Sequence, residues 1–157
     1  MPRTSAWIVS LVVMLFASVT PAQAQFSIRA ASIEPVEGWE KMQVERCQGS
    51  RCTVWVSPTA AIVAGDIEKA QPDHTSAEGQ TRIAIVFTDA GAKHMADLTT
   101  AQLHKQIAMI LDGKVIWAPI VMAEFHADIG KEGMLAGSGP QGLTPEEVEG
   151  ILAALGK

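Results

Sequence analysis

Two apolar runs, 107–111 and 114–121, are separated by Asp112-Gly113. No other dipeptide in the chain constrains its fold as tightly. A two-residue type I′ turn needs positive φ at both central positions, and Asp-Gly is among the few pairs that tolerate it. The spacing predicts an antiparallel hairpin. Pro119 falls late in the second run and cannot donate to a ladder, which predicts a sheet edge or a bulge there. A helix is expected before the hairpin, over 89–105. Thr88 is its N-cap, its first turn is acidic, and His104 and Lys105 lie in the last turn, matching the helix dipole. Gly91 weakens such a helix relative to Ala, which predicts a close approach of helix to sheet where no Cβ intervenes.

The flanking segments extend this pattern. Ile83, Ile85 and Phe87 alternate through 81–87 and predict a strand. Upstream, 40–46 and 53–57 read as a hairpin that Ser57-Pro58 ends. A short helix is expected from Gly65 or Asp66 to Ala70, then a polar loop over 72–79. Another strand falls within 124–136, and 137–142 is a Gly-rich loop. The last helix has Thr144 as N-cap, Pro145 at its first position, Glu147 completing a capping box and Gly156 as its stop. Val148, Ile151, Leu152 and Leu155 form its apolar stripe. The order implies an α+β domain: an antiparallel or mixed β-sheet with helices packed on one face.

The first 24 residues read as a secretory signal. Arg3 precedes an apolar run over 6–19, and Ala22-Gln23-Ala24 fits a cleavage site. The run is about 14 residues, short of the ~20 that span a bilayer. An uncleaved anchor is the alternative. Cleavage would leave a chain starting at Gln25, with no stable membrane span, in the periplasm or outside the cell. Residues 25–38 read as a loosely held leader and 39–157 as a single domain. The chain carries 12 Lys+Arg against 17 Asp+Glu, net −5, without a basic run, so nucleic acid is not an expected partner.

Candidate chemistry is sparse. Cys47 and Cys52 flank the loop of the first hairpin and read as a disulfide in an oxidising compartment. So small a loop contributes about 2 kcal/mol. The alternatives, a redox site or a metal site, want Cys-x-x-Cys or further ligands nearby. His94 and His104 point roughly 80° apart on a helix. Asp97 could share a face with His94, and His126 with Asp128 on a strand, but two ligands make no site. No serine lies in Gly-x-Ser-x-Gly, and Glu146 and Glu147 suit capping better than acid–base work. The reading is a non-enzymatic binding module without catalytic residues, cofactor or metal; the alternative is a small secreted enzyme or metal-dependent protein. Trp55, out of phase with Val54 and Val56, and Trp117, in phase with Val115, are either core or exposed anchors. With Ile120 and Val121 at the expected edge, they are the candidate partner contacts.

Several motifs together resemble the head subdomain of the first periplasmic domain of SecD, a subunit of the bacterial protein-export machine. They are Asp89-Ala90-Gly91-Ala92-Lys93, Leu98-Thr99, Ile110-Leu111-Asp112-Gly113, Ala118-Pro119, Gly137 and Thr144-Pro145-Glu146-Glu147. Their order carries the likeness over 54–155, with the cysteine hairpin outside it. The resemblance implies structural roles for Gly91, Asp112, Gly113, Pro119 and Gly137. It also implies a polypeptide or envelope-protein partner on the outer side of the membrane. SecD proteins of this family couple proton flow to their periplasmic domain through transmembrane helices. No second apolar run here is long enough to span, so the expectation is a module without that motor.

Overall fold

A computed structural model describes residues 25–49, 52–74, 79–138, 140 and 142–157. The expected signal segment lies outside the described residues, as do parts of the loops over 72–79 and 137–142. In chain order the elements are β1 (Phe26–Ser32), β2 (Glu40–Gln43), β3 (Thr53–Val63), a 3-10 turn (Ala64–Asp66) and β4 (Ile67–Asp73). Then follow β5 (Arg82–Phe87), α1 (Asp89–Ala101), β6 (Gln106–Leu111), β7 (Lys114–Trp117), β8 (Glu132–Leu135) and α2 (Pro145–Leu155). The class is α+β with antiparallel strand pairing. The strands divide between two sheets, one ordered β2-β3-β1-β6-β7 and one ordered β4-β5-β8.

The expected leader is overturned in its first half. Phe26–Ser32 is the central strand of the larger sheet, paired with β3 on one side and β6 on the other. Phe26 and Ile28 enter one core, and Ala31 enters another. A strand buried on both faces carries small and apolar residues without clean alternation, which resembles a tether when read locally. β6 shows the same thing in full: all six of its residues are buried.

The larger core collects Phe26, Ile28, Met109 and Leu111 from one face of that sheet, Ile83, Ile85 and Phe87 from β5, and Ile151 from α2. The second core holds Ala31, Val44, Val54, Val56, Ala108, Ile110 and Val115. The sheet curls to enclose it. Val44, just past β2, bridges to Val115 of β7, and the Glu45 N–H donates to the Val115 carbonyl at 2.8 Å. The two outer strands therefore meet, as in a small barrel.

Pro58 does not end its strand. β3 runs on to Val63 and absorbs the proline in a register shift against β1, a position where a missing N–H is tolerated. The short helix expected at 65–70 is a single 3-10 turn followed by β4, so Pro72 and Asp73 belong to a strand. Asp66 decides this locally. Its buried carboxylate accepts from the Val63 N–H at 2.9 Å, and its carbonyl accepts from the Thr88 N–H at 2.9 Å. Pairing with β5 then outweighs helix propensity in 67–73.

Thr88 caps α1 by accepting from the Gly91 N–H at 2.9 Å. The helix stops at Ala101, four residues short of Lys105, because the chain must reverse into β6; His104 makes that reversal at φ 62°. His104 and Lys105 therefore do not complement the helix dipole. At the start of the helix, Lys131 donates to Asp89 Oδ1 at 2.8 Å. That hydrogen bond and the ammonium charge hold the exposed Asp89 carboxyl below its ordinary range and raise the Lys131 ammonium. α2 matches its expected form: Thr144 and Glu147 make a capping box, and Gly156 is left-handed at φ 69°.

Candidate functional site: a groove at the end of the central strand

The groove forms where three backbone segments converge. β1 ends at Ser32, and the chain bends away through Ile33 and Glu34; the Glu34 N–H donates to Ser32 Oγ at 3.0 Å. Ala31, the last β1 residue paired in that ladder, lies opposite Gln106, the first residue of β6. On the other flank, 118–121 runs beside the entry to β6. The His104 backbone N–H donates to the Val121 carbonyl at 2.9 Å, the Val121 N–H to the Lys105 carbonyl at 2.8 Å, and the Ile107 N–H to the Pro119 carbonyl at 3.1 Å. The resulting groove of about 290 Å³ is lined by Ser32, Ile33, Glu34, His104, Lys105, Gln106 and Ile120.

Its chemistry is an apolar rim with a few polar groups. Ile33 and Ile120 are both 47% exposed, unusual for isoleucine, and Met122, two residues beyond Ile120, is 75% exposed. Gln106 is buried at 9%; its Nε2 donates to the Ala118 carbonyl at 3.2 Å, while its Oε1 is buried without a partner. Unpaired buried acceptors are few in folded proteins. Glu34 supplies one anion, and Lys105 and His104 supply the basic side.

Of the four candidate partner contacts, only Ile120 lines this groove. Val121 is corrected: it is 6% exposed and packs into the larger core, its N–H and carbonyl bonded to the backbone of Lys105 and His104, just ahead of β6. Trp55 is half-buried on β3, directly opposite Ser32 and so on the groove's side of the sheet. Trp117 is half-buried and packs on the larger core. Its phase differs from the expected one because Met109 pairs with Trp117 while Ile110 pairs with Val115, leaving Ile116 as the extra residue of a bulge. β7 is not an open edge either. The Val115 carbonyl accepts from Glu45 and the Ile116 carbonyl accepts from Ser138 Oγ at 2.7 Å.

The remaining sites fall as follows. Cys47 and Cys52 form a disulfide with Cα atoms 5.3 Å apart. Asp112 and Gly113 both have positive φ, 50° and 79°, as a type I′ turn demands. A Cβ on Gly91 would collide with the Asp66 carbonyl, and one on Gly137 would lie 2.6 Å from the Gly142 carbonyl oxygen. His94 pairs with Asp66 at 3.0 Å rather than with Asp97. His126 and Asp128 lie in a turn before β8, not on a strand. Among the described residues, no three His, Cys, Asp or Glu side chains are placed to share a metal. Ile33 and Gln106 escaped the sequence reading. No local period marks the end of β1 beside Ile33, because both faces of that strand are covered.

Comparison with known proteins gives this arrangement a family. The family described as SecDF, P1 head subdomain, matches residues 40–143, more than half of the chain. The chain belongs to that family. The match takes in the cysteine hairpin, which the sequence motifs had left outside, and stops before α2. The protein translocase subunit SecD of Acidaminococcus fermentans is 49% identical over 43 residues, which are 27% of this chain and 10% of that protein. The SecD subunit of Thermobaculum terrenum is 34% identical over 61 residues, 39% of this chain and 12% of that protein. The matches thus span about a tenth of these relatives' length. Among solved structures, a membrane component SecDF that enhances protein export superposes with TM-score 0.59 at 19% identity, over 85% of this chain and 62% of that one. SecDF in a super-membrane-facing form gives 0.58 at 19% identity, over 85% and 18%. At that identity the likeness establishes the fold. Among the described residues no helix is long and apolar enough to cross a membrane.

Proposed function

We propose that this chain is an accessory of protein export that holds an extended, partly apolar segment of polypeptide in the groove between Ile33 and Ile120. The exposure of both isoleucines around a concave site carries this reading. Membership of a family of protein-translocation components supports it. Recognition is by side chains. Strand addition at β7 is disfavoured, because two of its carbonyls are already engaged. Ordering a flexible chain opposes binding, so the affinity is modest, about micromolar or weaker.

The protein acts on the outer side of the membrane, its first 24 residues being the export signal. Processing after Ala24 suits the fold. The Gln25 N–H donates to Asp112 Oδ1 at 2.8 Å, so a new α-ammonium at Gln25 would form an ion pair with that carboxylate. Intact mass of the exported protein is expected to start at Gln25 and to lack two hydrogens for the disulfide. A retained leader would contradict the processing.

The binding test is fluorescence anisotropy of a labelled, reduced and unfolded model protein titrated with the domain. Saturable binding is expected. Ile120→Asp and Ile33→Asp should each weaken it at least about tenfold, since a buried apolar contact becomes a buried charge. Ile129→Asp, 80% exposed and outside the groove lining, should not. Equal binding by all three variants would mean that polypeptide does not bind in the groove.

A further inference from the structure

We propose that the Cys47–Cys52 disulfide is a redox-sensitive clasp that holds Arg46 on the start of α2. The bond closes the connection between β2 and β3 across a sequence separation of 5. Both cysteines are partly exposed, so a thiol can reach the bond from solvent. The residue just before it is under constraint. Arg46 has φ 52°, a left-handed conformation that side chains bearing a Cβ rarely adopt. Such a conformation persists only where its surroundings enforce it. Here the enforcement comes from both sides in sequence. Val44 and Glu45 are pinned to Val115 of β7, and Cys47 is pinned to Cys52.

The constrained backbone aims the guanidinium at a distant part of the chain. Arg46 Nε donates to Glu147 Oε1 at 3.3 Å, Nη2 donates to Glu147 Oε2 at 2.6 Å, and Nη2 also donates to the Gly142 carbonyl at 3.1 Å. The forked pair with a carboxylate is the geometry in which arginine binds most strongly. Glu147 Oε2 also accepts from the Thr144 N–H at 2.9 Å, so the same carboxylate caps α2. Gly142 in turn bridges to Thr81, and the Leu143 N–H donates to the Thr81 carbonyl at 2.9 Å. One side chain thus joins the barrel-like sheet, the first turn of α2 and the segment entering the smaller sheet. The hairpin that carries it is tied at its base by the Val44 N–H, which donates to the Cys52 carbonyl at 2.7 Å, and beyond that hydrogen bond Cys47 is held only by a bond that reduction can cut.

The reaction is thiol–disulfide exchange with a dithiol reductant, either a small molecule or a Cys-x-x-Cys oxidoreductase. One reductant thiolate attacks a cysteine sulfur, the S–S bond breaks, and a mixed disulfide forms. The second reductant thiol displaces it. Cys47 and Cys52 leave as two thiols, and the reductant becomes a disulfide, with two electrons and two protons passing to the protein. Arg46 can then relax from positive φ, and its fork on Glu147 is released.

Amide hydrogen exchange on the full chain, oxidised and after dithiothreitol, tests the clasp. Reduction is expected to speed exchange at Leu143, Thr144 and Glu147 by about tenfold, as local opening there becomes easier. Arg46→Gln should show the same acceleration while oxidised, and reducing that variant should add nothing at those three amides. Cys47→Ser/Cys52→Ser should behave like the reduced protein without any reductant present. The proposal is overturned if reduction loosens only 45–49 and 52–53 and leaves Leu143 and Glu147 protected. It is equally overturned if reduction of Arg46→Gln accelerates those amides as much as reduction of the wild type. If Arg46→Gln does not fold, the Arg46 Nε–H resonance decides: its solvent exchange must rise on reduction, and unchanged protection refutes the clasp.

Discussion

Gly91 and Asp66 meet where α1 begins, and the contact is backbone against backbone. The Asp66 carbonyl already accepts from Thr88, so it cannot move aside for a methyl group. Gly91→Ala is therefore expected to cost about 3 kcal/mol, the upper end for overpacking, despite the better helix propensity of alanine. A thermal melt checks it, and an unchanged midpoint would mean that helix and turn can separate freely. Gly113 is a different case. Nothing lies within 4 Å of a Cβ built there, so its requirement is conformational alone. Gly113→Val should cost about 1–2 kcal/mol through positive φ, read as a lower denaturant midpoint with unchanged slope. These two glycines were legible because each sits inside a pattern with one physical meaning, a helix that must approach something or a two-residue turn. Ile33 and Gln106 were not legible. Their significance comes from where β1 ends beside β6, which no local pattern encodes.

At the scale of elements, β1 is the test case. Its two ladders make it the axis of the larger sheet, so deleting 25–38 should abolish folding. Dispersed amide resonances that survive the deletion would show that β3 and β6 can close the sheet without it. The elements read correctly from the sequence were those with a period and a cap of their own: β5 by alternation, α2 by its capping box, and the β6–β7 hairpin by its turn. The elements misread were set by partners. β1 lacked alternation because both of its faces are covered. The 65–70 segment became a turn and a strand because Asp66 is bonded at Val63, His94 and Thr88 and because β5 offered a ladder. The early end of α1 follows from the reversal at His104, which the apolar pattern could not announce.

For the whole molecule, two cores on opposite faces of one curled sheet leave few places where a partner can enter. The sheet's outer strands meet each other at Val44 and Val115, and α2 packs against the larger core. The groove at the end of β1 keeps the apolar side chains of Ile33 and Ile120 exposed around a concave surface. It shares no lining residue with the Arg46–Glu147 fork, so variants of the clasp and of the groove can be tested separately. Hydrogen exchange of the domain with and without a reduced, unfolded polypeptide is the most direct measurement of the central claim. Slower exchange is expected at 33–34, 104–106 and 120–122, with β4 and β8 unchanged. Protection confined to β4 or β8, or none at saturating polypeptide, would contradict it.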